Sequence, residues 1–149
     1  MRKSHTIALR TAAALWVIWG LVHVLAAFLI IPADPGTAIG NIADAVDKTT
    51  LLGDYPEPLS GILSQHGWNL GWIGATTVVG AIFIWRHSMT AIWVTSLIGG
   101  MADIGYFVFI DLPGFANFLP GTMMTIFSAL AILLSSWVWL SNRVIHTTP

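Results

Sequence analysis

Four stretches of about twenty residues, nearly free of charge, fix most of what this chain can become. They lie at 11–31, 66–85, 90–110 and 121–140, and Asp103 is the one charged residue inside any of them. At about 1.5 Å of rise per residue, each is long enough to cross a hydrocarbon core of about 30 Å. Lipid offers no hydrogen bonds, so a crossing segment must satisfy its backbone internally, and a helix does that within one segment. The expected fold is therefore all-α: an integral membrane four-helix bundle, forming one domain over 1–149. Only 9% of the residues are charged, against about a quarter in a soluble domain.

Charge placement gives the expected orientation. Arg2, Lys3, Arg10, Arg86 and Arg143 fall on one side of the four-helix path, and Lys48 alone falls on the other. The Lys/Arg bias predicts both termini in the cytoplasm and a multi-pass protein of a bacterial-type inner membrane. Trp16, Trp85, Trp93, Trp137 and Trp139 sit near the inner helix ends, as an interfacial belt would. Met1-Arg2-Lys3 resembles the start of a signal peptide, but the apolar stretch behind it is too long and lacks a small-x-small site before Pro32, so it reads as a retained helix. The chain has no cysteine, which excludes disulfides, thiolate metal sites and thiol nucleophiles. A net charge of −1 gives no reason to expect nucleic acid as a partner.

The connections are uneven. Arg86–Met89 is a tight turn that places the second and third spans side by side and antiparallel. From Pro32 to Gln65 the chain stays outside the membrane. There Asp34 is a candidate N-cap and Pro35 a first helical residue. Ile39, Ile42, Val46, Leu51 and Leu52 recur at near-helical spacing, which predicts a short amphipathic helix on the outer face. The last connection, "DLPGFANFLPG", breaks helix while keeping Phe115 and Phe118 apolar.

Depth singles out the candidate site. His23 lies about 12 Å below the outer end of the first span, and Asp103 lies at nearly the same depth in the third. Asn69 is about 5 Å down, and Thr122, Thr125 and Ser128 occupy the first turns of the fourth span. Helical phase groups Trp16, Trp19, His23, Ala27 and Ile30; His66, Asn69, Ile73, Thr76 and Gly80; Ser96, Gly99 or Gly100, Asp103, Tyr106 and Ile110; and Thr122, Thr125 and Ala129. If these stripes meet on the bundle axis, they enclose an outward-opening pocket floored by His23 and Asp103 and roofed by His66 and the amphipathic loop.

Each residue has a structural reading beside the functional one. A carboxylate in a span costs a few kcal/mol, while interhelical hydrogen bonds return under about 1 kcal/mol, so Asp103 tilts toward function. His23, at the same depth, is its candidate acid–base partner. His66, Asn69, Trp72, Tyr106 and Thr125 are candidate ligand contacts. Interfacial anchoring competes for His66 and Trp72, and helix packing competes for the others. Gly67, Gly71 and Gly74 form a small-residue stripe that reads as helix packing. A bis-histidine haem needs a second histidine at the depth of His23, and His66 is about 10 Å higher unless the second helix starts well before it. No HxxE or HxxxH spacing supports a metal site, and no cofactor is assigned.

In size and helix count the chain resembles small bacterial four-helix membrane proteins, DoxX-like ones among them, a resemblance that assigns no residue a role. The expectation is a bilayer protein that binds a small lipophilic molecule, quinone-, isoprenoid- or steroid-like, and converts it if His23 and Asp103 act as acid and base. The alternative is a non-catalytic subunit, docked in a homo-oligomer or larger membrane complex. Transport is disfavoured, since neither an inverted repeat nor a broken span is present.

Overall fold

The computed structural model describes residues 2–146, the side chains of 143–146 excepted. Met1 and the side chain of Arg143, used above for orientation, lie outside the described residues. Five α-helices carry the fold: α1 (Lys3–Ile30), α2 (Pro35–Ile42), α3 (Glu57–Trp85), α4 (Met89–Tyr106) and α5 (Met123–His146). No strand occurs among the described residues. Four helical stretches, Lys3–Ile30, Glu57–Trp85, Met89–Asp111 and Phe118–Asn142, are long and apolar enough to cross a membrane. Leu21, Leu25, Phe28, Leu97, Met101, Ile104 and Leu133 are each more than half exposed, as residues facing lipid would be.

The long helices form a ring in the order α1, α3, α4, α5, with α1 and α4 on the diagonal. The α1–α3 crossing is the closest. A Cβ added at Gly74 would stand 2.5 Å from the Gly20 carbonyl oxygen, and one at Gly20 would stand 2.6 Å from that of Gly74. Gly71 faces Ala27 and Gly67 faces Ile30 and Ile31, so the small-residue stripe of α3 is wholly engaged by α1. Without a hydrophobic driving force between helices in lipid, such close backbone approach supplies much of the attraction.

Trp16 and Trp19 are fully buried in the core with Leu9, Ala81, Ile84, Ile92, Ala131 and Val138. This corrects the belt assignment of Trp16. Its indole lies against Gly99 of α4, where a side chain would collide with the ring. Trp85, Trp93 and Trp137 are about half exposed, in keeping with an interfacial position.

The turn between α3 and α4 has a local cause. His87 adopts φ 66°, Ser88 N–H reaches the Phe83 carbonyl (2.9 Å) and His87 N–H reaches that of Ile84 (2.8 Å). This is a Schellman stop with histidine at the position glycine usually takes. Ser88 then caps α4, its hydroxyl accepting from Ala91 N–H at 3.3 Å.

At the opposite end the elements differ from expectation. The predicted helix in the long connection starts as expected, with Asp34 accepting from Thr37 N–H at 3.0 Å and Pro35 in the first turn. It stops at Ile42, and a short 3-10 turn, Lys48–Leu51, follows. The break comes where polar groups find other partners. Asp44 accepts from Asn117 N–H (2.6 Å), its carbonyl takes the Asn117 amide (2.9 Å), and Ala45 N–H bonds the Phe115 carbonyl (3.0 Å). These bonds clasp the two loops of that end together. Ala38 of α2 packs on Ile30 and Leu63, seating α2 over the ends of α1 and α3. The last connection enters and leaves through wide π turns, Phe107–Asp111 and Phe118–Thr122.

Candidate functional site

One cavity gathers polar residues from four of the helices. It has a volume of about 100 Å³, is open on one side, and is bordered by His23, His66, Asp103 and Tyr106. Val22, Ala26, Ile30, Leu70 and Met124 supply apolar wall, and Asn41, Ile42, Pro120 and Gly121 come from the loop end. At about 30 Å³ per water, the space suits two or three waters or one small polar group. Drug-sized pockets start near 300 Å³. The cavity therefore fits the end of a molecule, with the remainder leaving through the opening.

His23 and Asp103 share no hydrogen bond among the described residues. Trp19 stands between them and holds both. Its indole N–H donates to Asp103 Oδ2 at 3.0 Å, joining α1 to α4 across the diagonal. Its backbone carbonyl lies 2.8 Å from His23 Nδ1. A carbonyl only accepts, so Nδ1 carries the proton, and in the neutral ring Nε2 is left as an acceptor. The His23 ring also stacks on the Trp19 ring, with centroids 3.6 Å apart and planes 20° apart. Trp16 meets the same indole edge-on at 5.6 Å. The imidazole is thus fixed in both orientation and tautomer by one neighbour.

Asp103 is buried, with 5% of its surface exposed, although it borders the cavity. Tyr106 stands one turn beyond it. A Cβ at Gly121 would come within 2.7 Å of the Tyr106 hydroxyl, so the absence of a side chain there is what admits the phenol. Nearby, Thr122 Oγ1 donates to Asp111 Oδ1 at 2.8 Å, tying the two wide turns together.

Of the seven expected site residues, these four meet at the cavity and three do not. Asn69 is turned to Trp72, whose indole N–H donates to its Oδ1 at 3.1 Å on an exposed face of α3. Thr125 has a buried hydroxyl with no partner, but it is not among the residues bordering the cavity. The stripes explain the split. On α1 and α4 the expected faces are the ones turned inward. On α3 the buried face is Gly67, Gly74, Thr77, Ala81 and Ile84, one residue round from the His66–Asn69–Thr76 stripe. On α5 it is Met124, Ser128, Ala131, Ser135 and Val138, while Ala129 is exposed.

Trp19 is the residue the sequence reading missed, and of the loop expected to roof the pocket it is Asn41 and Ile42 of α2 that border the cavity. For Trp19 a signal existed, namely its i, i+4 spacing from His23 on one face. For the choice of Asn41 and Ile42 within the roofing loop there was none, because it depends on how α2 docks.

Helix α3 starts at Glu57, nine residues before His66 (66 − 57). An early start alone does not bring the histidines level. Gly67 faces Ile30 and Ile31, whereas Gly74 faces Gly20, His23 and Val24. That register leaves about 10 Å between His66 and His23 along the axis. Among the described residues, no three His, Asp or Glu side chains come together as a metal site would need. Compared with family models, curated proteins and solved structures, the chain matches none.

Proposed function

We propose that this is a four-pass membrane protein, with both termini in the cytoplasm, that binds the polar end of a small lipophilic molecule in the cavity between His23, Asp103, Tyr106 and His66. The carrying observation is the cavity itself, with a polar floor, apolar walls and room for one functional group. In this orientation the cavity opens toward the outer face, beneath the loops and α2. His23 Nε2 is the fixed acceptor, the Tyr106 hydroxyl a donor, and the apolar walls guide the attached skeleton. An isoprenoid- or steroid-like body meets that description. His23 and Asp103 border the same cavity without a hydrogen bond to each other, so a ligand group in it meets both as candidate acid–base partners.

The docking alternative draws less support. The small-residue stripe that would receive a partner helix is already filled by α1.

The test is ligand-dependent stabilisation of the purified protein in dodecyl maltoside, using farnesol, menadione and pregnenolone as probes. A ligand at a hundred times its Kd stabilises by about 2.7 kcal/mol. At least one probe is expected to raise the unfolding midpoint, with the gain reduced in His23→Gln and Tyr106→Phe. If no probe shifts the wild-type midpoint, or both variants respond as the wild type does, the reading fails.

A further inference from the structure

The cavity holds a buried carboxyl group, and the nitrogen bases that border it are the imidazoles of His23 and His66. Among the residues that border it, none is lysine or arginine. The donor that reaches Asp103 Oδ2 is the neutral indole of Trp19. The surroundings add negative charge. The carboxylates of Asp44, Asp111 and Asp103 all lie within electrostatic reach of the Tyr106 hydroxyl. In the loop above, Asp34, Asp44, Asp47, Asp54 and Glu57 face Lys48 as the only basic residue.

A carboxylate in a low-dielectric site is costly unless a positive group sits against it. Among the residues that border the cavity there is no lysine or arginine to supply it, and His23, with its Nδ1 proton given to the Trp19 carbonyl, presents an acceptor rather than a charge. We propose that the polar end received by the cavity is a protonated amine, so that the ligand is a lipophilic ammonium compound whose charge is completed by Asp103. This rests on the cavity being a ligand site, and it narrows the chemistry of that ligand. An ammonium group donates to Asp103 and to the bare Nε2 of His23, both of which accept. Its hydrocarbon body lies along Val22, Leu70 and Met124. An anionic end, by contrast, would enter a field of its own sign.

A matched pair of probes tests this directly. 4-Phenylbutylamine and 4-phenylbutanol have the same skeleton and differ in the charged end. Their affinities for the full chain in lipid nanodiscs are measured by calorimetry at neutral pH. The amine is expected to bind about ten-fold or more tightly than the alcohol. Asp103→Asn should abolish that preference while alcohol binding persists, and Asp103→Glu should retain it in part. Equal binding of the two probes by the wild type overturns the ammonium assignment and leaves the ligand site standing. Alcohol binding with no amine binding also overturns it. If neither probe binds, the ammonium assignment falls, and the site itself is then judged by the neutral lipophiles above. A preference for the amine that survives intact in Asp103→Asn assigns the charge recognition elsewhere and overturns the role of Asp103.

Discussion

Two alanine substitutions on α3 should act with opposite sign, and the reason lies in what each new methyl group meets. At Gly74 the added Cβ would stand 2.5 Å from the Gly20 carbonyl oxygen, 3.0 Å from Val24 N and 3.1 Å from His23 Cβ. Ordinary contact begins at 3.4 Å, so α1 must retreat by about 0.9 Å (3.4 − 2.5). The obstructing atom is backbone, which no rotamer change can move aside. Overpacking of this kind costs about 1–3 kcal/mol, and a rigid helix as the obstacle argues for the upper half of that range. At Gly61, on the same helix, nothing lies within 4 Å of an added Cβ. There alanine only removes glycine's excess backbone freedom, a gain of about 0.4–1 kcal/mol. Reversible unfolding in mixed dodecyl maltoside–SDS micelles, followed by tryptophan fluorescence, gives both free energies. Gly74→Ala should unfold at lower SDS than wild type and Gly61→Ala at equal or higher SDS. A Gly74→Ala protein as stable as wild type would refute the crossing geometry. So would a Gly61→Ala protein that loses as much.

Three further outcomes follow from local geometry. Trp19→Phe leaves Asp103 Oδ2 without its donor, which costs about 1–3 kcal/mol for a buried acceptor, so the same micelle assay should show at least that loss. His87→Gly places the residue suited to φ 66° at the Schellman position and should stabilise by about 1 kcal/mol, read as a raised unfolding midpoint. The side-chain and backbone bonds of Thr37 hold the exposed Asp34 carboxyl below its ordinary 3.8. A lowered folded-state pKa means the cap is fully present above 3.8 and is lost as pH falls through the lower folded value. Amide exchange at Thr37 should therefore stay slow on acidification past 3.8 and quicken only below it. Quickening well above 3.8 would contradict the cap.

The spans were legible because lipid leaves a chain few options, and length with apolarity nearly decides the matter. The inward faces of α1 and α4 were also legible, since Asp103 is costly to turn toward lipid and helical phase sets Trp16 and Trp19 on the face of His23, although the belt reading of Trp16 pointed the other way. On α3 the same logic misled. Polar side chains there suggest an interior face, but Asn69 satisfies itself with Trp72 and Thr76 donates to the Trp72 carbonyl at 2.7 Å. A helix can thus pair polar groups along its own surface and turn glycines inward, where close approach counts for more. Thr125 and Ala129 on α5 repeat the one-residue offset. Which residues of the roofing loop reach the cavity was illegible for another reason. It depends on Asp44 and Asn117, 73 residues apart, whose pairing no local pattern announces.

Trp19 serves its two partners with different parts of itself. Asp103 is held by the side chain, while His23 is held by a carbonyl that every amino acid possesses. Replacements at position 19 therefore take away the indole donor and the ring on which His23 stacks, and leave the carbonyl that sets the His23 tautomer. They remove one donor from the carboxyl group while the imidazole keeps its tautomer, so the setting of the carboxyl can be changed with the acceptor nitrogen held the same. A saturation library at this single codon, scored against neutral and cationic probes, would separate recognition of shape from recognition of charge.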